Sequence, residues 1–184
     1  MRKERLNATL AVRVVASIPI ALLATIFLAI GAVRCQSLIQ DSAPAYTPST
    51  KYDPSRDALK DVLAAVSEAK STNRRVLIEV GGEWCTWCHI MDRFFDAHDD
   101  LMKLRDTNFV TVKVNFSPEN KNQSLLSKFP PISGYPHLFV LDEEGHLVVS
   151  QSTDALEAGR SYDKNRFKYF LEKARTVTPK QKGK

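Results

Sequence analysis

Cys85 and Cys88 stand three residues apart in Glu83-Trp84-Cys85-Thr86-Trp87-Cys88-His89. Two thiols at that spacing can cycle between dithiol and disulfide, ligate a metal, or, with histidine following directly, carry covalently attached haem as C-x-x-C-H. Haem is the minor alternative, because a c-type cytochrome is mostly helical around its haem, whereas this motif follows one strand-like run and precedes others. A structural zinc site needs four ligands, and His89 beside Cys88 does not complete one. No metal and no cofactor is therefore expected. The third cysteine, Cys35, lies far from the pair, and three cysteines cannot build a multi-disulfide scaffold.

The elements that hold the pair follow from periodicity. Val76 to Val80 is a nearly continuous apolar run, the pattern of a strand covered on both faces. Gly81-Gly82 ends it, and Cys85 to about Arg105 reads as one helix with Met91, Phe94, Phe95 and Met102 inward. Upstream, Asp53-Pro54 has the form of an N-cap with proline at the first helical position, followed by Leu59, Val62, Leu63, Val66 and Ala69 on one face. Downstream, Val110, Val112, Val114 and Phe116 alternate as a second strand. A short helix over Leu125 to Phe129 stops at Pro130-Pro131. Leu138 to Leu141, the turn Asp142-Glu143-Glu144-Gly145 and Leu147 to Val149 form a hairpin, and Phe167, Phe170, Leu171 and Ala174 mark a last helix capped by Asp163. The order α, β, α, β, α, β, β, α predicts an α/β fold, a central mixed sheet flanked by helices.

The N-terminal part points to export. Val14 to Val33 runs 20 residues without a charge, long enough to cross a hydrocarbon core of about 30 Å. Arg2, Lys3, Arg5 and Arg13 precede it and only Arg34 follows closely, which predicts a cytoplasmic N-terminus and a C-terminal part facing the periplasm of a bacterial inner membrane. Cleavage near Ala29 to Ala32 would instead release a soluble periplasmic protein. Arg34 is unsuited to lipoprotein processing at Cys35. The expected organisation is a cytoplasmic segment 1–13, an anchor or signal segment 14–33, a linker 34–55 rich in Pro, Ser and Thr, a domain 56–176 and a basic tail 177–184. The formal charge of +5 is concentrated at the N-terminus; beyond residue 35 the chain carries 21 basic and 20 acidic side chains. That balance argues against a nucleic-acid-binding face.

Trp84-Cys85-Thr86-Trp87-Cys88 after an apolar strand, with Gly134-Tyr135-Pro136 before a later one, resembles the thioredoxin superfamily over roughly Arg56 to Arg175. It is most similar to exported, membrane-associated bacterial thioredoxin-like proteins with a C-x-W-C centre. The resemblance implies a thiol-disulfide oxidoreductase with a Cys85–Cys88 disulfide and a cis peptide before Pro136. Local chemistry agrees: a thiol in the first turn of a helix meets unpaired N–H groups and the positive dipole end, so Cys85 gains thiolate character and acts as nucleophile. Cys88, on the same helix face, is the buried resolving thiol. Tyr135 and Pro136 would present backbone to an extended substrate segment. Tyr135 departs from the small or β-branched residue common in thioredoxins, so substrate preference does not carry over. Trp84 is expected as a packing platform and Trp87 as a partly exposed substrate contact.

Two charged positions also match the family. Glu79 occupies the place of its buried acid and Lys113 that of the nearby lysine. A carboxylate inside a buried strand is destabilising unless paired; Glu79 could serve as the base that takes the Cys88 proton, and an amide there would be easier to bury. The expected partners are thiols or disulfides of exported proteins, a membrane or periplasmic redox partner, and the membrane through the N-terminal helix. Thr86-Trp87 does not set the direction of electron flow. One catalytic domain without a dimerisation segment favours a reductase over an isomerase or oxidase. A different class of function, a holdase binding unfolded exported chains, would survive Cys85→Ser.

Overall fold

The computed structural model describes residues 45–178. Segments 1–13 and 14–33, Cys35, and most of the 177–184 tail lie outside them; among the described residues no helix is long and apolar enough to cross a membrane. Helix α1 (Ala58–Thr72) leads into strand β1 (Arg75–Gly81). Helices α2 (Thr86–Asp96) and α3 (Asp99–Asn108) then carry the chain over to β2 (Phe109–Asn115). A short α4 (Gln123–Leu126), β3 (His137–Leu141), β4 (Leu147–Ser152), the small hairpin β5 (Glu157–Ala158) and β6 (Ser161–Tyr162), and α5 (Lys164–Ala174) complete it.

The main sheet has the order β2-β1-β3-β4. β1 and β2 are parallel, as a helical crossover requires, while β3 runs antiparallel to β1, and β4 to β3. Because successive side chains of a strand point to opposite faces, β1 divides its residues between two cores. Val76, Ile78 and Val80 pack with Ala58, Val62, Ala65 and Ala69 of α1. Leu77 packs on the other face with Met91, Phe94 and Phe95 of α2 and Phe167 and Leu171 of α5.

Three local expectations are corrected. The cap of α1 is Asp57, whose carboxylate accepts from the N–H groups of Leu59 and Lys60 at 3.1 and 3.2 Å. Asp53 instead accepts from the backbone N–H and hydroxyl of Ser55, closing a turn of its own. The buried residues of α1 are Ala58, Val62, Ala65 and Ala69, and Leu63, expected on the inner face, is 61% exposed. The single helix expected over 85–105 is broken at Ala97-His98. His98 Nδ1 bonds the carbonyl of Phe94 at 2.7 Å, taking a C-terminal acceptor of α2, and Asp99 and Asp100 begin α3 at its positive dipole end. No Gly or Pro marks this break, so periodicity alone runs through it.

The third correction concerns the linker. Within 34–55, residues 45–55 pack on the domain: Tyr46 is buried and its hydroxyl donates to the Thr111 carbonyl at 3.0 Å, and Tyr52 is 1% exposed. The β5–β6 hairpin, turning at Gly159 with φ 61°, is too short to leave a hydrophobic period and was not expected. The Asp142 turn and the Asp163 cap are as expected: Asp142 accepts from the N–H groups of Glu144 and His146, Gly145 takes φ 86°, and Asp163 accepts from those of Asn165 and Arg166.

The cap assignment is testable by urea unfolding. Asp57→Ala should cost about 1 kcal/mol, the usual loss for an N-cap, whereas Asp53→Ala should leave α1 intact and cost clearly less.

Candidate active site

The two cysteines sit where β1 hands the chain to α2. Gly81-Gly82-Glu83-Trp84 makes the turn, closed by the Cys85 N–H donating to the Gly82 carbonyl at 2.9 Å. Cys85 is the N-cap of α2 in extended conformation, and its Sγ accepts from the Cys88 N–H at 3.1 Å. A sulfur here takes the place of a capping oxygen and faces the positive end of an eleven-residue helix with no acid in its first turn. Cys85 and Cys88 are joined in a disulfide with Cα atoms 5.2 Å apart. The Tyr135–Pro136 peptide is cis.

Gly81 is what allows the helix to come so close. A methyl placed on it would lie 2.4 Å from Cys88 Sγ and 3.1 Å from Cε1 and Cζ of Tyr52. Three groups thus meet over one backbone position that must lack a side chain. Cys85, expected as the exposed member, is 3% exposed against 0% for Cys88, because Tyr52, Trp87 and Tyr135 close around the pair. Cys85 is still the more accessible residue of the two.

The aromatic residues fall into two groups. Trp84 is 55% exposed, anchored by its Nε1–H to the Phe116 carbonyl at 2.8 Å and set edge-on to Tyr135, which stacks on Phe116. A cleft of about 560 Å³ opens beside it, with Tyr52, Glu83, Trp84, Asn115 and Pro118 among its walls. Trp87 is partly buried against Tyr162, whose hydroxyl donates to the Trp87 carbonyl at 3.3 Å. Trp84 therefore offers more open surface than Trp87, the reverse of the emphasis drawn from sequence. The Pro136 carbonyl is fixed by the Thr153 hydroxyl at 2.7 Å.

Glu79 and Lys113 are register partners on β1 and β2, and Lys113 Nζ lies 3.7 Å from Glu79 Oε2. Glu79 is 1% exposed and points to the α2 face with Leu77 and Gly81, two residues, about 7 Å of strand, from the glycine that Cys88 overlies. Sequence reasoning found this pair but missed its partners. Arg105 Nη1 stands 3.9 Å from Glu79 Oε1, while its guanidinium lies over the Phe95 ring, and Asp92 forms a short ion pair with Lys113. Asp92 was accessible from sequence, since it follows Cys88 by four and Cys85 by seven and so shares their helix face. With two cations around the carboxylate, an amide at position 79 would leave buried positive charge less compensated, so the expected ease of burying it does not hold.

Tyr52 was missed altogether; its only signal was a second aromatic residue, after Tyr46, in a mostly polar tether. Its backbone N–H donates to Glu83 Oε1 at 2.8 Å, and Lys113 Nζ lies 4.5 Å above its ring. Burial, reinforced by the negative charges of Glu79 and Asp92, holds its phenol well above the ordinary tyrosine pKa, so it remains protonated. The haem reading of Cys85 to His89 fits poorly, for both sulfurs are buried and bonded to each other and His89 Nε2 is engaged with the Glu83 carbonyl at 2.8 Å.

Residues 57–143 match a family model described as thioredoxin-like. The fold is thioredoxin-like. Among solved structures, a disulphide isomerase of Xylella fastidiosa Temecula1 is similar with a TM-score of 0.56 at 23% identity, covering 66% of this chain and 94% of that one. The oxidised C-terminal domain of DsbD from Neisseria meningitidis is similar at 19% identity and a TM-score of 0.45, over 70% of this chain and 98% of that one. A stretch of 51 residues, 28% of this chain, is 33% identical to the uncharacterized protein B0495.5 of Caenorhabditis elegans, of whose length it spans 7%. The thioredoxin-like match begins at residue 57 and so leaves Tyr52 outside it.

The close approach at the thioredoxin-like centre yields a control pair. Gly81→Ala should destabilise the oxidised protein by about 1–3 kcal/mol through overpacking against Cys88 and Tyr52. Gly134→Ala, where a methyl meets nothing within 4 Å, should leave the denaturation midpoint in place.

Proposed function

We propose that the domain is a thiol-disulfide oxidoreductase that reduces disulfides of exported proteins, with Cys85 as nucleophile and Cys88 as resolving thiol. The observation that carries this reading is a Cys85 sulfur at the start of α2, bonded to a helix N–H and paired with a deeper Cys88. In the reduced enzyme, Cys85 thiolate attacks one sulfur of a substrate disulfide, forming a mixed disulfide and expelling the other substrate sulfur as thiolate. Cys88, once deprotonated, attacks Cys85 Sγ; the Cys85–Cys88 bond forms and the second substrate thiolate leaves. Two electrons have then passed to the substrate, and a dithiol donor must restore the pair.

The remaining residues take roles around these steps. Glu79, charge-paired on the α2 face of β1, is the base for Cys88, with Lys113 holding it in place. Trp84, Tyr135 and the backbone before Pro136 supply the substrate surface beside the disulfide, and Trp87 its inner border. The apolar segment 14–33 supports a site in the bacterial inner membrane facing the periplasm, with a membrane or periplasmic protein as electron donor. Cleavage of that segment would leave the same domain soluble in the periplasm.

Cys88→Ser should accumulate mixed disulfides with exported proteins on non-reducing gels, whereas Cys85→Ser should not; equal trapping by both would remove the assignment of roles. Glu79→Gln should slow resolution by about tenfold or more, the scale of general base catalysis, while the rate of Cys85 alkylation by iodoacetamide barely changes. Stopped-flow reduction of a fluorescent disulfide separates the two steps, and unaltered resolution would leave Glu79 a purely structural charge.

A further inference from the structure

The segment that precedes the domain brings one polar atom to the cysteines that the reaction above does not use. The hydroxyl of Tyr52 is buried and has no hydrogen-bond partner among the described residues. Leaving such a donor unpaired is destabilising, yet the residue is held firmly. Its own N–H is bonded to Glu83, and the next turn is pinned by Asn120 Nδ2 donating to the Pro54 carbonyl at 2.8 Å. Phenylalanine would fill the same space without the unpaired group.

The ring packs against Cys85 and Cys88 in one cluster, and its Cε1 and Cζ share with Cys88 Sγ the space above Gly81. A disulfide sulfur is a weak acceptor, but a thiolate is a strong one, and a hydrogen bond to a charged group is stronger than one between neutral groups. The donor is therefore mismatched to the oxidised pair and matched to the reduced one. Resting on the thiol-disulfide reading, we infer that Tyr52 donates a hydrogen bond to the Cys88 sulfur when the disulfide opens, stabilising its thiolate and setting the reduction potential of the pair. When the Cys85–Cys88 bond is cleaved by an attacking donor thiolate on Cys85, Cys88 departs with the bonding electrons as a thiolate beside this hydroxyl. In the opposite direction the same bond keeps Cys88 deprotonated for its attack on Cys85.

The charged groups around the phenol support its part as a donor. Glu79 of β1, Asp92 of α2 and Glu83 of the turn all oppose its ionisation, as does Tyr162 of β6, while Lys113 of β2 lies over the ring. The phenol keeps its proton, and proton traffic to Cys88 is left to Glu79.

The test is Tyr52→Phe in the full chain, which keeps the ring and removes only the hydroxyl. Equilibration with glutathione redox buffers should shift about tenfold towards the disulfide, about 30 mV for two electrons. In a Cys85→Ser background, Tyr52→Phe should also raise the pH at which Cys88 forms its thiolate, followed by ultraviolet absorbance, because loss of a donor disfavours the charged form. Thermal stability of the oxidised protein should be kept or raised, since the removed group was unpaired. An unchanged glutathione equilibrium together with an unchanged Cys88 titration overturns the inference. If both shift as expected but the wild type fails to reduce protein disulfides, the reading of function falls while the role of Tyr52 stands.

Discussion

The active-site end of this domain depends on the close approach of Cys88 to the end of β1 over Gly81. A Cβ at this position would stand 2.4 Å from Cys88 Sγ, so the helix can bring its sulfur this close to the strand only over a glycine. That contact fixes where α2 begins, and so places Cys85 at the helix terminus, where backbone N–H groups and the dipole favour a negative sulfur. The same glycine leaves room for Tyr52. A strap outside the match to the thioredoxin-like family thereby becomes a wall of the redox centre.

Beneath the disulfide lies a charged layer that a buried sheet face would ordinarily exclude. Glu79 is compensated by Lys113 and Arg105, and Lys113 in turn by Asp92, so each charge taken from water has a counter-charge within 4 Å. Removing one member of such a group leaves its partners exposed to the desolvation penalty, which makes the set cooperative. It spans β1, β2, α2 and α3, and therefore couples the charge near the cysteines to the packing of both helices of the crossover.

Much of this was legible in the sequence, for physical reasons that also explain the gaps. The strands that carry Glu79, Lys113 and the segment after Pro136 were visible because buried strands concentrate Val, Ile and Leu. The cysteine pair was visible because its chemistry needs a fixed spacing. The break at His98 was hidden, since a side chain capping the Phe94 carbonyl replaces the Gly or Pro that usually marks a helix end. Arg105 and Tyr52 were hidden for a different reason. Their roles arise from contacts across the fold, which no local pattern encodes, and the surroundings of Tyr52 read as a polar tether. The caps show the limit at short range: Asp53 and Asp57 are both plausible, and only the backbone geometry selects Asp57.

Turnover of the Cys85–Cys88 pair with protein disulfides is the proposed activity from which the roles of the surrounding residues follow. The direct measurement is the rate at which the full chain, supplied with a dithiol reductant, reduces a disulfide-bonded protein substrate, compared with the reductant alone and with Cys85→Ser. The expected rate is proportional to enzyme concentration and abolished by Cys85→Ser. A rate no greater than that of the reductant alone would contradict it.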